Sequence, residues 1–137
     1  MFLGEFSHKL DSKNRVMIPS EFRDELGSVF YATKGPEKSL IIYTKEEFNK
    51  KADALLNLTE NNKKNRAIKR LFFSSTIETS LDKQGRFLIN KNLLDYAEIE
   101  KDVMIIGNNN NIEIWNVDNW NQYIADVEIN LSDIMDE

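Results

Sequence analysis

The stretch Leu10-Asp11-Ser12-Lys13-Asn14-Arg15-Val16-Met17-Ile18-Pro19 returns, altered but legible, as Leu81-Asp82-Lys83-Gln84-Gly85-Arg86-Phe87-Leu88-Ile89-Asn90. Each copy reads as the end of a strand, a tight polar turn opened by Asp, an Arg four residues after that Asp, and a second apolar strand. Asp at the head of a turn can accept hydrogen bonds from backbone N–H groups two or three residues on, and Asn or Gly tolerates the left-handed conformation that such a turn needs. Pro19 cannot donate to a ladder and stops the first copy's second strand.

Working outward, the repeat extends well beyond the turn. Phe6, His8 and Leu10 alternate with polar residues and match Ile77, Thr79 and Leu81 at an offset of 71 residues. Ser20 is the expected N-cap of a short helix bearing Phe22 and Leu26, echoed by Leu93, Leu94 and Ala97. Strands are predicted from Val29 to Thr33 and from Leu40 to Tyr43, and again from Val103 to Gly107 and from Ile112 to Trp115. Thr44-Lys45-Glu46-Glu47 has the form of a capping box ahead of Phe48, Ala52, Leu55 and Leu56 at helical spacing. The final helix is expected to start at Asp118 and to carry Trp120, Tyr123, Ile124 and Val127 inward. The order strand, strand, short helix, strand, strand, helix therefore occurs twice. A first repeat is placed at 1–58, a connecting helix with Ile68, Leu71 and Phe72 as its apolar stripe at 59–75, a second repeat at 76–128, and an acidic tail at 129–137.

Composition narrows the chemistry. The chain has 137 residues, 41% of them hydrophobic and 30% charged, which suits a globular protein with a real core. It has no cysteine and one histidine, His8, so thiol chemistry and Cys/His metal sites are not expected. His8, on an alternating strand, reads as a structural residue. No apolar run reaches membrane-spanning length and Met1-Phe2-Leu3-Gly4-Glu5 lacks the regions of a signal peptide, so a cytoplasmic location without membrane contact is expected. The net charge of −5 hides a split: residues 1–74 carry 14 Lys or Arg against 10 Asp or Glu, and residues 75–137 carry 4 against 13. Such a chain can meet a polyanion with one face while the other repels it.

Taken with Asp11, Arg15, Asp82, Arg86 and the triplet Glu113-Ile114-Trp115, the pattern from Phe2-Leu3-Gly4-Glu5 to Trp115 resembles the MraZ family of transcriptional regulators. The resemblance implies an α+β fold: two tandem AbrB-like pseudo-repeats combined in one swapped-hairpin β-barrel flanked by helices. It also implies a ring-like homo-oligomer, associated with the nucleoid, that binds repeated boxes in double-stranded DNA upstream of the cell-division and cell-wall gene cluster containing its own gene. Two departures stand out. Asn14 replaces the Gly usual in the first turn, and Asn90 stands where the first copy has Pro19.

The residues themselves suggest a division of labour. Asp11 and Asp82 are expected to structure the turns, leaving Lys9, Lys13, Asn14 and Arg15, with Lys83 and Arg86, as the DNA-binding set. Arg is the side chain that reads guanine bidentately in the major groove, whereas Lys binds phosphate and sets register. Arg86 has fewer cationic neighbours, so a structural or subunit-contact role competes with DNA contact there. Lys63, Lys64, Arg66, Lys69 and Arg70 read first as a solvent- or subunit-facing helix surface. Trp115, Trp120 and Tyr123 follow structural periods and read as core. Glu113 and Asp82 have no nucleophile, metal cluster or phosphate-cradling loop beside them, so neither catalysis nor a cofactor is expected. Two alternatives from other classes are a protein–protein assembly module and an AbrB-like antitoxin.

Overall fold

The computed structural model describes residues 1–135; Asp136 and Glu137, the end of the expected tail, lie outside the described residues. The elements run β1 (Glu5–Lys9), β2 (Arg15–Met17), α1 (Ser20–Leu26), β3 (Phe30–Lys34), β4 (Leu40–Thr44), α2 (Lys45–Leu56) and α3 (Lys63–Ser75). There follow β5 (Ile77–Thr79), β6 (Arg86–Leu88), α4 (Lys91–Tyr96), β7 (Asp102–Gly107), β8 (Asn111–Asn116), α5 (Val117–Ile129) and α6 (Leu131–Met135). The expected mixed α+β class is present. An antiparallel six-stranded sheet has the order β1-β7-β8-β4-β3-β5, and β2 pairs with β6 in a separate ribbon.

Only the β3/β4 and β7/β8 hairpins pair within one copy of the repeat. All other ladders cross between copies: β1 lies on β7 with Phe6 opposite Ile105, β5 on β3 with Glu78 opposite Tyr31, β4 on β8 and β2 on β6. The repeats thus share one fold. The closed barrel expected from the resemblance is not found among the described residues: β1 and β5 are the two edges of the sheet, and the β2/β6 ribbon is not hydrogen-bonded into it. The ribbon's strands are short: the Asp turns bound β2 and β6 on one side and the starts of α1 and α4 on the other, leaving three residues each. Just beyond them, the Ile18 N–H donates to the Gly85 carbonyl (2.9 Å) and the Ile89 N–H to that of Asn14 (3.0 Å), which extends the pairing of the two strands.

Alternation along the strands divides the molecule into layers. On the inner face Phe30, Ala32, Leu40, Ile42, Val103, Ile105, Ile112 and Ile114 join one buried cluster with Val16 and Phe87 of the ribbon, Phe22 of α1 and Leu93 of α4. The outer face of β7 and β8 offers Ile106 and Trp115 to Trp120 of α5. Trp115 and Trp120 pack edge to face at 5.3 Å, and the Trp120 indole N–H donates to Glu5 at 3.1 Å. The outer face of β3 and β4 is covered by α2 and α3, with Tyr31 stacked on Phe48 at 4.0 Å and Phe48 on Phe72 at 5.7 Å.

Several boundaries differ from the sequence reading, each for a local reason. The Thr44 hydroxyl does cap α2, accepting from the Glu47 N–H (3.2 Å). The long helix starts at Lys63 rather than Thr59, because the Asn62 side chain accepts from the N–H groups of Lys64 (2.8 Å) and Asn65 (3.2 Å). Of its expected apolar stripe only Phe72 turns inward; Ile68 and Leu71 are exposed, as is Phe73. Pro19, not Ser20, occupies the N-cap position of α1 and makes no side-chain cap. In the second copy Asn90 does cap, accepting from the Leu93 N–H at 2.9 Å. Asn116 rather than Asp118 caps α5, accepting from the Asn119 N–H at 3.0 Å. The stretch read as a tail contains α6, exposed throughout.

Phe87 is 2% exposed and packs edge to face on Phe30 at 5.3 Å, joining the second copy's strand of the ribbon to a first-copy strand of the sheet. Phe87→Ala is expected to destabilise the fold by about 3–5 kcal/mol, seen as a lower urea midpoint with an unchanged slope.

Candidate nucleic-acid interface

Both Asp-x-x-x-Arg turns close by the same set of bonds. In the first, Asp11 Oδ1 accepts from the N–H groups of Lys13 (2.9 Å) and Arg15 (3.0 Å), while Oδ2 accepts from Arg15 Nε at 2.7 Å. In the second, Asp82 Oδ1 accepts from the N–H groups of Gln84 (2.9 Å) and Arg86 (2.9 Å), and Oδ2 from Arg86 Nε at 3.0 Å. Backbone bonds from Asp11 N–H to the Arg15 carbonyl (2.9 Å) and from Asp82 N–H to the Arg86 carbonyl (2.7 Å) complete each loop. The fourth residue of each turn has positive φ, 61° at Asn14 and 80° at Gly85. Asn14 therefore reproduces the left-handed geometry that Gly85 adopts without a side chain to accommodate.

The carboxyl groups are held below their ordinary value of 3.8, first by the backbone N–H of Arg15 for Asp11 and of Arg86 for Asp82, with the second backbone bond and the arginine charge adding to it and partial burial opposing. Each aspartate binds its arginine as well as the backbone. Arg15 is thus not free in the sense expected from sequence; its Nε is fixed on Asp11, and no hydrogen bond within the described residues engages its terminal Nη groups. Arg86 is more committed. Its Nη2 donates to Gln84 (3.2 Å), and its Nη1 lies 3.6 Å from Asp11 Oδ2 in the other turn.

Pairing of β2 with β6 brings the two turns together: Arg15 stands opposite Leu88 and Met17 opposite Arg86. Val16 and Phe87 between them point into the core, so the period of two leaves Arg15, Met17, Arg86 and Leu88 on the outer face. Lys13 and Lys83 are exposed at the turns, and Lys9, at the end of β1, is exposed 4.0 Å from Asp102. His8 is half-buried opposite Val103.

Sequence reasoning missed Arg23. This α1 residue donates from Nε to the Ile18 carbonyl (2.8 Å), and its guanidinium lies against Gly85 so closely that a Cβ there would overlap it. The repeat held no signal for it, since the matching position in the second copy is Leu94; only the crossing of strands between copies shows that the first copy's helix reaches the second copy's turn.

The basic helix stands elsewhere. In α3, Lys69 pairs with Glu60 at 2.8 Å and Arg66 donates to the Glu60 carbonyl at 2.7 Å, while Lys63, Lys64 and Arg70 are exposed and unpaired among the described residues. Glu113 accepts from the Trp115 indole N–H at 2.9 Å and Trp115 is buried, which accounts for both without chemistry. No group of His, Asp or Glu among the described residues is arranged to hold a metal ion.

Fold and site together define a duplicated α+β protein that gathers two arginine-bearing Asp turns on one ribbon. The family described as "MraZ protein, putative antitoxin-like" matches residues 1–71 and again 72–137, and the chain belongs to this MraZ family. Among its relatives, the transcriptional regulator MraZ of Finegoldia magna is 45% identical over 136 residues, 99% of this chain and 95% of that protein. The transcriptional regulator MraZ of Clostridium tetani is 50% identical over 123 residues (90% and 87%), and that of Pediococcus pentosaceus 42% over 134 residues (98% and 94%). The family is one of transcriptional regulators, not of enzymes.

Two measurements probe the turns. A carboxyl group whose folded pKa is lowered contributes stability that is present above the unfolded pKa, about 3.9, and lost as pH falls through the folded value. The Asp11→Asn, Asp82→Asn double variant is therefore expected to be less stable at pH 7 and to lose less stability between pH 5 and pH 2 than the unaltered protein, by urea unfolding at each pH. Relief of the left-handed residue in the first turn should make Asn14→Gly more stable by about 0.5–1 kcal/mol, whereas Gly85→Ala, strained and against Arg23, should cost about 1–2 kcal/mol or more.

Proposed function

We propose that this chain is a sequence-specific DNA-binding transcriptional regulator that acts in the cytoplasm, at the nucleoid, on repeated boxes upstream of the cell-division and cell-wall gene cluster that includes its own gene. The observation that carries the DNA reading is the meeting of both arginine turns on one ribbon, with Lys13 and Lys83 exposed beside them. Arg15 is fixed at Nε and keeps its terminal N–H groups, the arrangement that suits bidentate contact with guanine O6 and N7. Lys9, Lys13, Lys83 and the backbone of Asn14 position the protein on phosphate. Arg86, tied to Asp82, Gln84 and Asp11, contributes less to reading. The paired repeats act as one swapped-hairpin unit.

One protomer offers two small turns, and contacts of that size give specific affinity only when several act together. The assembly we propose is a ring-like homo-oligomer. Supporting it, the outer layer carries two unlike faces: α3, with five basic and no acidic residues and exposed Ile68, Leu71 and Phe73, and α5–α6, with four acidic and no basic residues and exposed Ile129, Leu131 and Ile134. Unlike faces that fit each other join head to tail and close into rings.

In gel shifts with DNA from upstream of the protein's own gene, Arg15→Ala is expected to abolish specific binding, at about 1–3 kcal/mol per lost guanine contact, with Arg86→Ala weaker in effect. Retained operator affinity of Arg15→Ala at fixed salt overturns the reading. Affinity should fall steeply as salt rises, which an apolar protein–protein module would not show. Boxes should recur at about 10 base pairs so that each turn meets the same groove, and moving one by half a helical turn should cost binding. By light scattering, Leu71→Glu is expected to reduce the assembly to smaller species, while an unchanged mass rejects the α3 contact.

A further inference from the structure

We infer that Arg23 is a phosphate-binding residue of the second turn, so that this turn is a composite site: Lys83 and Arg86 come from the second copy of the repeat and Arg23 from the helix of the first. The inference rests on the DNA-binding reading above and adds a residue to it.

Position comes first. Arg23 Nε is anchored on the Ile18 carbonyl at 2.8 Å, and the Ile18 N–H is itself anchored on the Gly85 carbonyl at 2.9 Å. The guanidinium lies against Gly85, where the lack of a Cβ is what admits it; it is held by one hydrogen bond, to the Ile18 carbonyl, and sits against the turn backbone. Charge comes second. Arg15 and Arg86 each face an aspartate within 3.0 Å, but no carboxylate among the described residues lies within ion-pair distance of Arg23. Its Nη groups, four N–H donors, have no acceptor in the chain among the described residues. A half-buried guanidinium with its donors open, beside an exposed Lys83, is suited to a phosphate oxygen pair.

The contact is to phosphate and not to a base, because the ribbon's outer face is occupied by Arg15, Met17, Arg86 and Leu88, and Arg23 is held behind the turn on α1. The first turn has no counterpart. At the matching repeat offset of 71 the second copy has Leu94, which is 6% exposed and part of the core.

The test compares the unaltered protein with Arg23→Gln and Arg23→Lys on DNA from upstream of its own gene, across a series of salt concentrations. Arg23→Gln is expected to bind about tenfold more weakly at low salt, equally on operator and shuffled DNA, with the slope of log affinity against log salt reduced by about one per protomer engaged. Arg23→Lys should keep the slope. An unchanged affinity, or a loss with the slope unaltered, overturns the inference while leaving the DNA-binding reading intact. Failure of the unaltered protein to bind that DNA at all overturns both. In the unaltered protein the Arg23 Nε–H resonance should also shift when the DNA is added, a readout that does not depend on the variants folding; a resonance that stays in place rejects the contact.

Discussion

Val16 opposite Phe87, both closed off from water, is the contact on which the rest of the structure depends. Two strands of three residues make too short a ladder to persist alone. The ribbon exists because its inner side chains enter a core built from both copies, at about 1.5–3 kcal/mol for each large side chain buried. Since a strand alternates strictly, that same burial sends Arg15 and Arg86 outward. A slip of one residue would bury two arginines and expose Val16 and Phe87, so the core fixes the register and the register fixes which face carries the arginines.

Electrostatics is arranged around this constraint. Each aspartate spends its two oxygens on the backbone of its turn and on its own arginine, which stiffens the loop before any partner arrives. Pre-ordering of this kind lowers the entropy lost on binding. Each Asp–Arg pair is close to neutral, so the charge that these turns carry outward is that of Lys13 and Lys83. The acidic α5–α6 segment packs on the opposite face of the sheet from the ribbon, through Trp115 and Trp120. A chain of net charge −5 can in this way keep its acid behind a layer of apolar sheet.

What the sequence disclosed and what it hid follow the range of the interactions. The Asp turns, the Thr44 cap, the inward Trp120 and the duplicated order of elements rest on neighbours a few residues apart, and periodicity exposes them. The pairing of β1 with β7 and of β3 with β5 rests on residues 45 or more positions apart, with a side-chain hydrogen bond between Tyr31 and Glu78 across the second, and carries no local signature. Helix starts were misplaced where several Asn and Ser residues competed as caps, as at Asn62 and Asn116. The barrel came only from the family resemblance; the strands of the chain form an open six-stranded sheet and a short separate ribbon. Arg23 stayed hidden because its role depends on a glycine 62 residues away.

Joining the two copies in one chain lets them differ, and the differences fall where a pair of identical chains would have to agree. In a symmetric pair any substitution appears twice, so a side chain suited to one turn must be tolerated in the other. Here Asn14 answers Gly85, Pro19 answers Asn90, and Leu94 fills the core where Arg23 reaches the second turn. A side chain at Gly85 would meet the guanidinium of Arg23, whereas the residue matching Arg23 in the second copy is Leu94, which is buried in the core. Asn14 keeps a side chain in the first turn, and Gly85 leaves room for Arg23 at the second. Unequal turns on a pseudo-symmetric ribbon give the molecule a direction, which a symmetric pair of identical chains could not have.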